Sequence, residues 1–395
     1  MHGLTTHECL ALLRSLIPAE FGRDQGQRAE PPDPAVIDEE TRLDGETLRL
    51  DSLGRLNLAS ALNRTFCLHE LGTEDRLLTL RRVGDMAEFL AEASTRTSGL
   101  VFTTSGSTGD PQPHHHCWAA IDQEARALAT ALGEHGRVIA WLPTRHLYGF
   151  MLGIALPRAL GVPAVEEPEA LAALSRNPAN GDLLATIPPR WRYLADSGRA
   201  FSGATTGVSS TAAMETPLRE ALLSRGLAGL AEIYGATETG GVGLRWAPET
   251  SYRLLPHWRA LTSGDLERRL PDGRTITQAP LDRLEWQADG SFQPVGRIDD
   301  VVQIGGVNVS PSHIAERIRG HDAVADCAVR PFGAGSRTRL KAFIVPADIG
   351  GDWDAIHQEL EHWIWKNLAD VERPVHLRFG EELPRNEMGK LTDWD

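Results

Sequence analysis

The chain has 395 residues, 41% of them hydrophobic and 24% charged, an ordinary globular balance that supports roughly two to four domains. A formal net charge of -14 repels phosphate backbones and excludes nucleic acid as a partner. A local cluster of N–H donors can still hold a small anion. Cys9, Cys67, Cys117 and Cys327 are scattered with no CxxC pair, a spacing that argues against a disulfide framework or a structural zinc site. The N-terminus lacks a basic segment followed by a long apolar run, and no apolar stretch reaches ~18 residues. Neither a signal peptide nor a membrane span is predicted, and a cytoplasmic location is expected.

In chain order, Leu4, Leu10, Leu12, Leu13 and Leu16 predict an amphipathic helix over 4–17. A Pro-rich loop over 23–35 follows. Asp51 or Ser52 suits the N-cap of a second helix, with Leu53, Leu56, Ala59 and Asn63 marking one side. A third helix is predicted from about Val83 to Ala93, with Met86, Phe89 and Leu90 inward. Residues 1–95 therefore read as an all-α helical bundle. Beyond the Ser/Thr/Gly linker at 94–99, strand-like runs at 100–104, 137–143 and 183–188 alternate with helical stretches, the pattern of an α/β layer fold over 96–297. Residues 298–395 read as a separate small α+β domain.

The strand LVF leads into Thr103-Thr104-Ser105-Gly106-Ser107-Thr108-Gly109. Glycines let a backbone turn and approach a ligand closely, successive N–H groups make an anion nest, and hydroxyls add donors. A flexible linker has the same composition, and the Walker pattern is absent. Three further segments follow in order: IYGATETGG (233–241), VGRIDDVVQIGGVNVSP (295–311) and LPRNEMGK (383–390). Together the four resemble the signature motifs of the adenylate-forming superfamily, which holds acyl-CoA synthetases, aryl-acid ligases and non-ribosomal peptide synthetase adenylation domains.

That resemblance covers about residues 100–395 and implies roles residue by residue. Thr104, Ser105, Gly106, Ser107, Thr108 and Gly109 would hold the β- and γ-phosphates of ATP, although the family lysine beyond the motif's proline is Gln112 here. Gly203 and Ala204 would lie along adenine, and Tyr234 beside Gly235 would stack on it. Thr237 would bond the α-phosphate and Glu238 would ligate Mg²⁺. Asp282 and Arg297 would reach the ribose, and Asp299 would be the hinge on which a C-terminal lid domain pivots. Lys390 would offset the repulsion between a carboxylate and the α-phosphate. His146 stands at the acyl-pocket position, where a plain structural histidine is the alternative; Trp141, Tyr148, Phe150 and Thr206 complete a compact, partly aromatic pocket region. The family acid and lysine near the loop Gly305-Gly306-Val307-Asn308 are His313 and Gln303 here. The His114-His115-His116 run has no cysteine or acidic ligand close by in sequence and is not read as a metal site.

The phosphate loop starts near residue 103, far earlier than in typical members, which implies an N-terminally truncated core whose acyl pocket is more open or completed by a second subunit. The stretches 48–66 and 79–93 resemble an acyl carrier domain, with Ser52 as the 4'-phosphopantetheine attachment site. The expected reaction is ATP- and Mg²⁺-dependent activation of a carboxylic acid, with an aryl or short acid preferred, then transfer to a thiol. The expected acceptor is the arm on Ser52, which would require a phosphopantetheinyl transferase and downstream acyl-transfer enzymes as partners. The alternatives are CoA as acceptor, or a non-catalytic homologue that docks carriers or binds nucleotide.

Overall fold

A computed structural model of the chain describes residues 3–24, 31–103, 112–175, 181–201, 204–297, 302–304, 307–333 and 338–394. It forms two compact units, one up to Ala279 and one from Pro280. In the first, helices α1 (Thr6–Asp24), α2 (Ser52–Phe66) and α3 (Val83–Ser94) precede a hairpin of β1 (Gly99–Thr103) and β2 (Pro113–Cys117). Then follow α4 (Trp118–Leu132), β3 (Arg137–Ala140) and α5 (Leu147–Phe150), which continues through a π-helical stretch, Met151–Ala155, into α6 (Leu156–Leu160). Next come β4 (Ala164–Val165), α7 (Glu169–Ser175), β5 (Asp182–Thr186), α8 (Pro188–Asp196), β6 (Thr206–Ser209) and α9 (Thr216–Ser224). The unit closes with β7 (Gly229–Ala236), β8 (Gly240–Trp246), β9 (Arg253–Leu254), β10 (Trp258–Ala260), β11 (Leu266–Arg269) and β12 (Thr275–Gln278).

The main sheet has the order β4-β3-β5-β6-β7-β8-β9. β3 to β7 run parallel, and β8 and β9 turn back antiparallel. Every residue of β5 is buried, as a parallel strand covered on both faces requires. Trp191 of α8 is wholly buried and packs with Leu194, Leu218, Leu222 and Leu230. Gly207 leaves room for it, because a Cβ there would meet the Trp191 ring at 3.0 Å and Leu230 at 2.8 Å.

The second unit begins with two hairpins, β13 (Asp282–Trp286) with β14 (Phe292–Arg297), and β15 (Val302–Ile304) with β16 (Val307–Val309). Helix α10 (Pro311–Arg319) is capped by Ser310 and leads into β17 (Val324–Phe332) and β18 (Arg339–Pro346). Helix α11 (Trp353–Asn367), capped by Asp352, precedes β19 (Pro374–Phe379). β17 and β18 pair antiparallel and β19 joins β18 in parallel. Ile314 and Ile318 of α10 and Leu360 and Ile364 of α11 pack on Leu340, Ala342 and Ile344 of the sheet.

The expected all-α carrier bundle over residues 1–95 is overturned. Its helices belong to the same compact unit as the α/β core. Helix α1 buries Cys9, Leu10, Ala11, Leu12 and Leu13 consecutively, so it is covered all round rather than along one stripe. The cover includes residues far down the chain. Thr144 Oγ1 donates to Ala11 O at 2.8 Å, Arg145 N donates to Ser15 Oγ at 3.2 Å, and Arg158 Nη1 donates to Gly3 O at 2.8 Å. Helix α2 packs against β1. Its buried residues are Leu58, Ala59, Ala61, Leu62 and Phe66, whereas Leu53 and Leu56 are exposed. Ser52 is an exposed first-turn residue next to the cap, Asp51, which accepts from Gly54 N at 2.8 Å. No helix among the described residues is long and apolar enough to cross a membrane.

Candidate functional site

The β1–β2 hairpin opens onto the Gly/Ser/Thr segment, and its register pairs Thr103 with Pro113. Thr104, Ser105, Gly106, Ser107, Thr108 and Gly109 lie outside the described residues, as do Ser202, Gly203, Asp299, Gly305 and Gly306. What the structure does place is the strand that leaves the segment. His116 of β2 is buried and its Nε2 lies 2.7 Å from Thr237 O. A carbonyl only accepts, so His116 Nε2 carries the proton. His114, two residues earlier on the same face of the strand, has Nε2 3.9 Å from Glu238 Oε1. The expected phosphate-loop hairpin and the Thr237-Glu238 turn, more than a hundred residues apart, are thus fastened together.

That turn joins β7 to β8. Gly235 pairs with Gly241, and a Cβ at Gly235 would meet Gly240 O at 2.1 Å, so the close crossing requires glycine. Thr239 Oγ1 accepts from Ala236 N at 3.1 Å and donates to Gly240 O at 2.8 Å, which closes the turn from inside. Gly241 N donates at 2.8 Å to Glu124 Oε1 on α4. Glu124 is buried, and burial pushes its carboxyl upward against the pull of Arg268, whose Nη1 lies 3.5 Å from Oε2. Tyr234 stands one residue before the glycine, its ring 5.7 Å from that of Tyr252.

The remaining expected residues fall as follows. Ala204 O accepts from Gly181 N at 3.1 Å. His146 caps α5, and its carbonyl accepts from Phe150 N at 2.9 Å. Phe150 is wholly buried with its ring 5.2 Å from Phe102. Trp141 is half-buried beneath the Arg190 guanidinium, 4.8 Å from its ring centre, and Tyr148 Oη lies 3.4 Å from Thr186 O. In the second unit the β13–β14 register sets Asp282 opposite Arg297. Lys390 lies in a closed turn: Asn386 Oδ1 accepts from Met388 N and Lys390 N, both at 3.0 Å, and Asn386 N donates to Lys390 O at 2.8 Å.

Glu124 and Arg268 escaped the sequence reading, and His116 entered it only as part of the His114-His115-His116 run. None stands in a motif, and only the fold brings them to the 237–241 turn. The oxygens of Thr237 and Glu238 are hard donors suited to Mg²⁺ and phosphate. Among the described residues His114 Nε2 has no hydrogen-bond partner and is buried beside Glu238, which leaves a polar atom for a ligand to satisfy. The residues present fit a nucleotide with its metal.

Burial, reinforced by Arg268, lowers His116 to about 4 despite its bond to Thr237, and burial with Arg268 lowers His257 to about 3, both from 6.5. Both are neutral in the fold. Below pH 6.5 the unfolded chain takes up protons at these sites that the folded chain refuses. Stability is therefore full above that pH and falls as the pH drops towards 4, by about 1.4 kcal/mol per pH unit for each histidine. Thermal unfolding between about pH 7.5 and 4.5 checks this. His116→Gln is expected to flatten the slope by one histidine's share, and an unchanged slope would remove His116 as a source.

A family model described as AMP-binding enzyme C-terminal domain matches residues 313–390. A protein named 4-coumarate–CoA ligase from Halorhodospira halophila is 61% identical over 391 residues, covering 99% of this chain and 100% of that protein. Another of that name from Rhodobacter capsulatus is 37% identical over 402 residues, 97% of this chain and 99% of that one. Among solved structures, the ATP-bound RpMatB-BxBclM chimera B1 matches with a TM-score of 0.63 at 17% identity, over 98% of this chain and 91% of that one. The likeness therefore runs through the N-terminal helices as well as the core. O-succinylbenzoate CoA synthetase (MenE) from Bacillus subtilis, in complex with ATP and magnesium, matches with a TM-score of 0.55 at 18% identity, over 74% of this chain and 68% of that one. With these motifs in place and those relatives matched along their length, the chain belongs to the adenylate-forming acid–thiol ligases, enzymes that activate a carboxylic acid with ATP.

Proposed function

We propose that the protein joins a small aryl acid of the hydroxycinnamate kind to CoA through an acyl-adenylate. The observation that carries this reading is the 61% identity, across 99% of the chain, to a protein named 4-coumarate–CoA ligase. CoA replaces the arm on Ser52 as acceptor, because residues 1–95 form part of the core unit and not a carrier.

In this reading the 104–109 segment and the Thr237 hydroxyl hold the phosphates, while Tyr234 stacks on adenine with Tyr252 behind it. Bound Mg²⁺ would neutralise phosphate charge as the leaving group departs, with Glu238 as its protein ligand. A carboxylate oxygen attacks the α-phosphorus, the bond to pyrophosphate breaks, and Lys390 offsets the meeting of two anions. The CoA sulfur then attacks the acyl carbonyl, a C–S bond forms, and AMP leaves with the electrons of the C–O bond. Asp282 and Arg297 serve the ribose, and a pivot at Asp299 separates the two half-reactions.

ATP–pyrophosphate exchange against aryl, amino and fatty acids, followed by thioester formation with CoA, tests the proposal. Exchange confined to hydroxycinnamates and yielding the CoA thioester is expected. Exchange with amino or fatty acids alone would overturn the substrate class, and no exchange with any acid would overturn the assigned reaction. Glu238→Gln is expected to raise the Mg²⁺ concentration needed for half-maximal exchange by about tenfold or more, with little change in unfolding temperature. An unchanged Mg²⁺ midpoint would remove Glu238 as a ligand.

A further inference from the structure

On the other face of the β1–β2 hairpin, three side chains with metal-ligand chemistry converge. Cys67 ends α2 in the left-handed region, φ 54°, where a helix terminus ordinarily takes glycine or asparagine. The short 3₁₀ turn Leu68–Glu70 follows at once. Positions three apart eclipse on such a turn, so Cys67 and Glu70 share one side. His115 comes from the middle of β2 and points away from its neighbour His116, because side chains alternate along a strand. The Cys67 Sγ, a Glu70 carboxylate oxygen and a His115 ring nitrogen all lie within 4.8 Å of one another. Ser98 sits among them: its Oγ donates to Glu70 Oε1 at 2.6 Å and lies 2.8 Å from His115 Nε2, and its N donates to Glu70 Oε2 at 2.8 Å.

We propose that Cys67, Glu70 and His115 form a zinc(II) site. A thiolate, an imidazole and a carboxylate are the donors zinc takes, and the soft sulfur disfavours Mg²⁺ and Ca²⁺. Zinc–ligand lengths of about 2.0–2.3 Å bring the donor atoms of a tetrahedral site roughly 1 Å closer than 4.8 Å. Glu70 and His115 are exposed, and that movement exchanges their contacts with Ser98 for zinc, while Cys67 is buried and held. Binding releases the thiol proton of Cys67 to solvent. Three protein ligands leave the fourth position to water or to the Ser98 hydroxyl. The site was invisible in sequence spacing because Glu70 and His115 stand far apart in the chain. Its consequence is mechanical: zinc would clamp the end of α2 to the strand that leaves the 104–111 segment. That consequence for catalysis rests on the nucleotide reading of the segment, whereas the metal site itself does not.

The test uses the full chain, stripped with a chelator and titrated with cobalt(II) alone, then with zinc(II). A single equivalent of tetrahedral cobalt with a thiolate charge-transfer band, displaced by zinc and untouched by excess Mg²⁺, is expected. Cys67→Ser and His115→Ala are expected to abolish the thiolate band or weaken affinity at least about 100-fold, and Cys327→Ser to leave it intact. Zinc at about 100 times its dissociation constant should raise the Tm of the parent by several degrees and that of His115→Ala by none. His115→Ala alters an exposed side chain, so it keeps the test alive should Cys67→Ser fail to fold. Absence of the thiolate band in the parent, or an undiminished band in both variants, would overturn the proposal.

Discussion

Lys390→Ala is expected to lower ATP–pyrophosphate exchange by about 10²–10³-fold while leaving the unfolding temperature within about 1 °C of the parent. The size follows from removing a preorganised charge aimed at developing negative charge. The turn that carries Lys390 is fixed without its side chain. Besides the two N–H groups held by Asn386 Oδ1, Gly389 N donates to Asn386 O at 2.8 Å, with Gly389 at φ +72°. Arg385 Nη1 donates to Gly389 O at 2.8 Å and closes the turn from outside. All of these bonds use backbone atoms or the side chains of Asn386 and Arg385, so truncating Lys390 spares them. Asn386→Ala should give the complementary result: the lysine remains, two N–H groups lose their acceptor, and exchange falls by about tenfold through loss of positioning. Lys390→Arg should recover little, because a planar fork does not replace a point charge at a crowded phosphate. Retention of exchange within about threefold in Lys390→Ala would remove Lys390 from the adenylation step.

The contrast between what local sequence revealed and what it hid has a physical basis. Strands at 324–332 and 339–346 and helices at 311–319 and 353–367 give the α+β character read for the C-terminal residues, because hydrophobic periods are local signals. The glycines of the 233–241 motif were legible for the same reason: a tight crossing needs missing side chains wherever it occurs. Residues acting across the fold were not legible. His116 meets Thr237 across 121 positions and Glu124 meets Gly241 across 117. Nothing in the neighbourhood of either residue marks it as buried against the motif. The N-terminal helices failed in another way. An amphipathic pattern says that a face is covered but not by what, and part of the cover for α1 comes from residues near 144–158. The same helices in an independent bundle would need an outward polar stripe on α1, which the run Cys9–Leu13 lacks.

The largest loss of stability is expected at Glu232, two residues before Tyr234. Its side chain is 2% exposed on β7 and faces two buried arginines. Arg245 makes a two-pronged contact, Nη2 to Oε2 at 2.8 Å and Nε to Oε1 at 3.1 Å, and Arg219 Nη1 reaches Oε1 at 3.2 Å. Met214 N donates to Oε2 at 3.0 Å, so every direction around the carboxylate is used. Glu232→Ala leaves two guanidinium groups and one N–H buried without their acceptor. A buried pair broken from one side costs about 3–5 kcal/mol, which lowers the unfolding midpoint of a unit this size by at least about 6 °C. Arg126→Ala, which removes an exposed helix-surface partner of Asp122, is expected to cause no resolvable shift. Glu232→Gln keeps shape and one acceptor and should fall between the two. Its effect reaches further than stability, because Arg245 also lies over the Tyr252 ring at 4.5 Å, and Tyr252 supports Tyr234. Loosening Arg245 therefore frees the aromatic pair, and Glu232→Gln is expected to raise the KM for ATP several-fold at temperatures where the variant is fully folded. A stability loss with an unchanged KM would uncouple the ion network from the nucleotide face. A Glu232→Ala loss below about 1 kcal/mol would mean that the arginines find other acceptors, with the carbonyls of Thr250 and Glu249, already bonded to them at 2.7 and 3.3 Å, the nearest at hand.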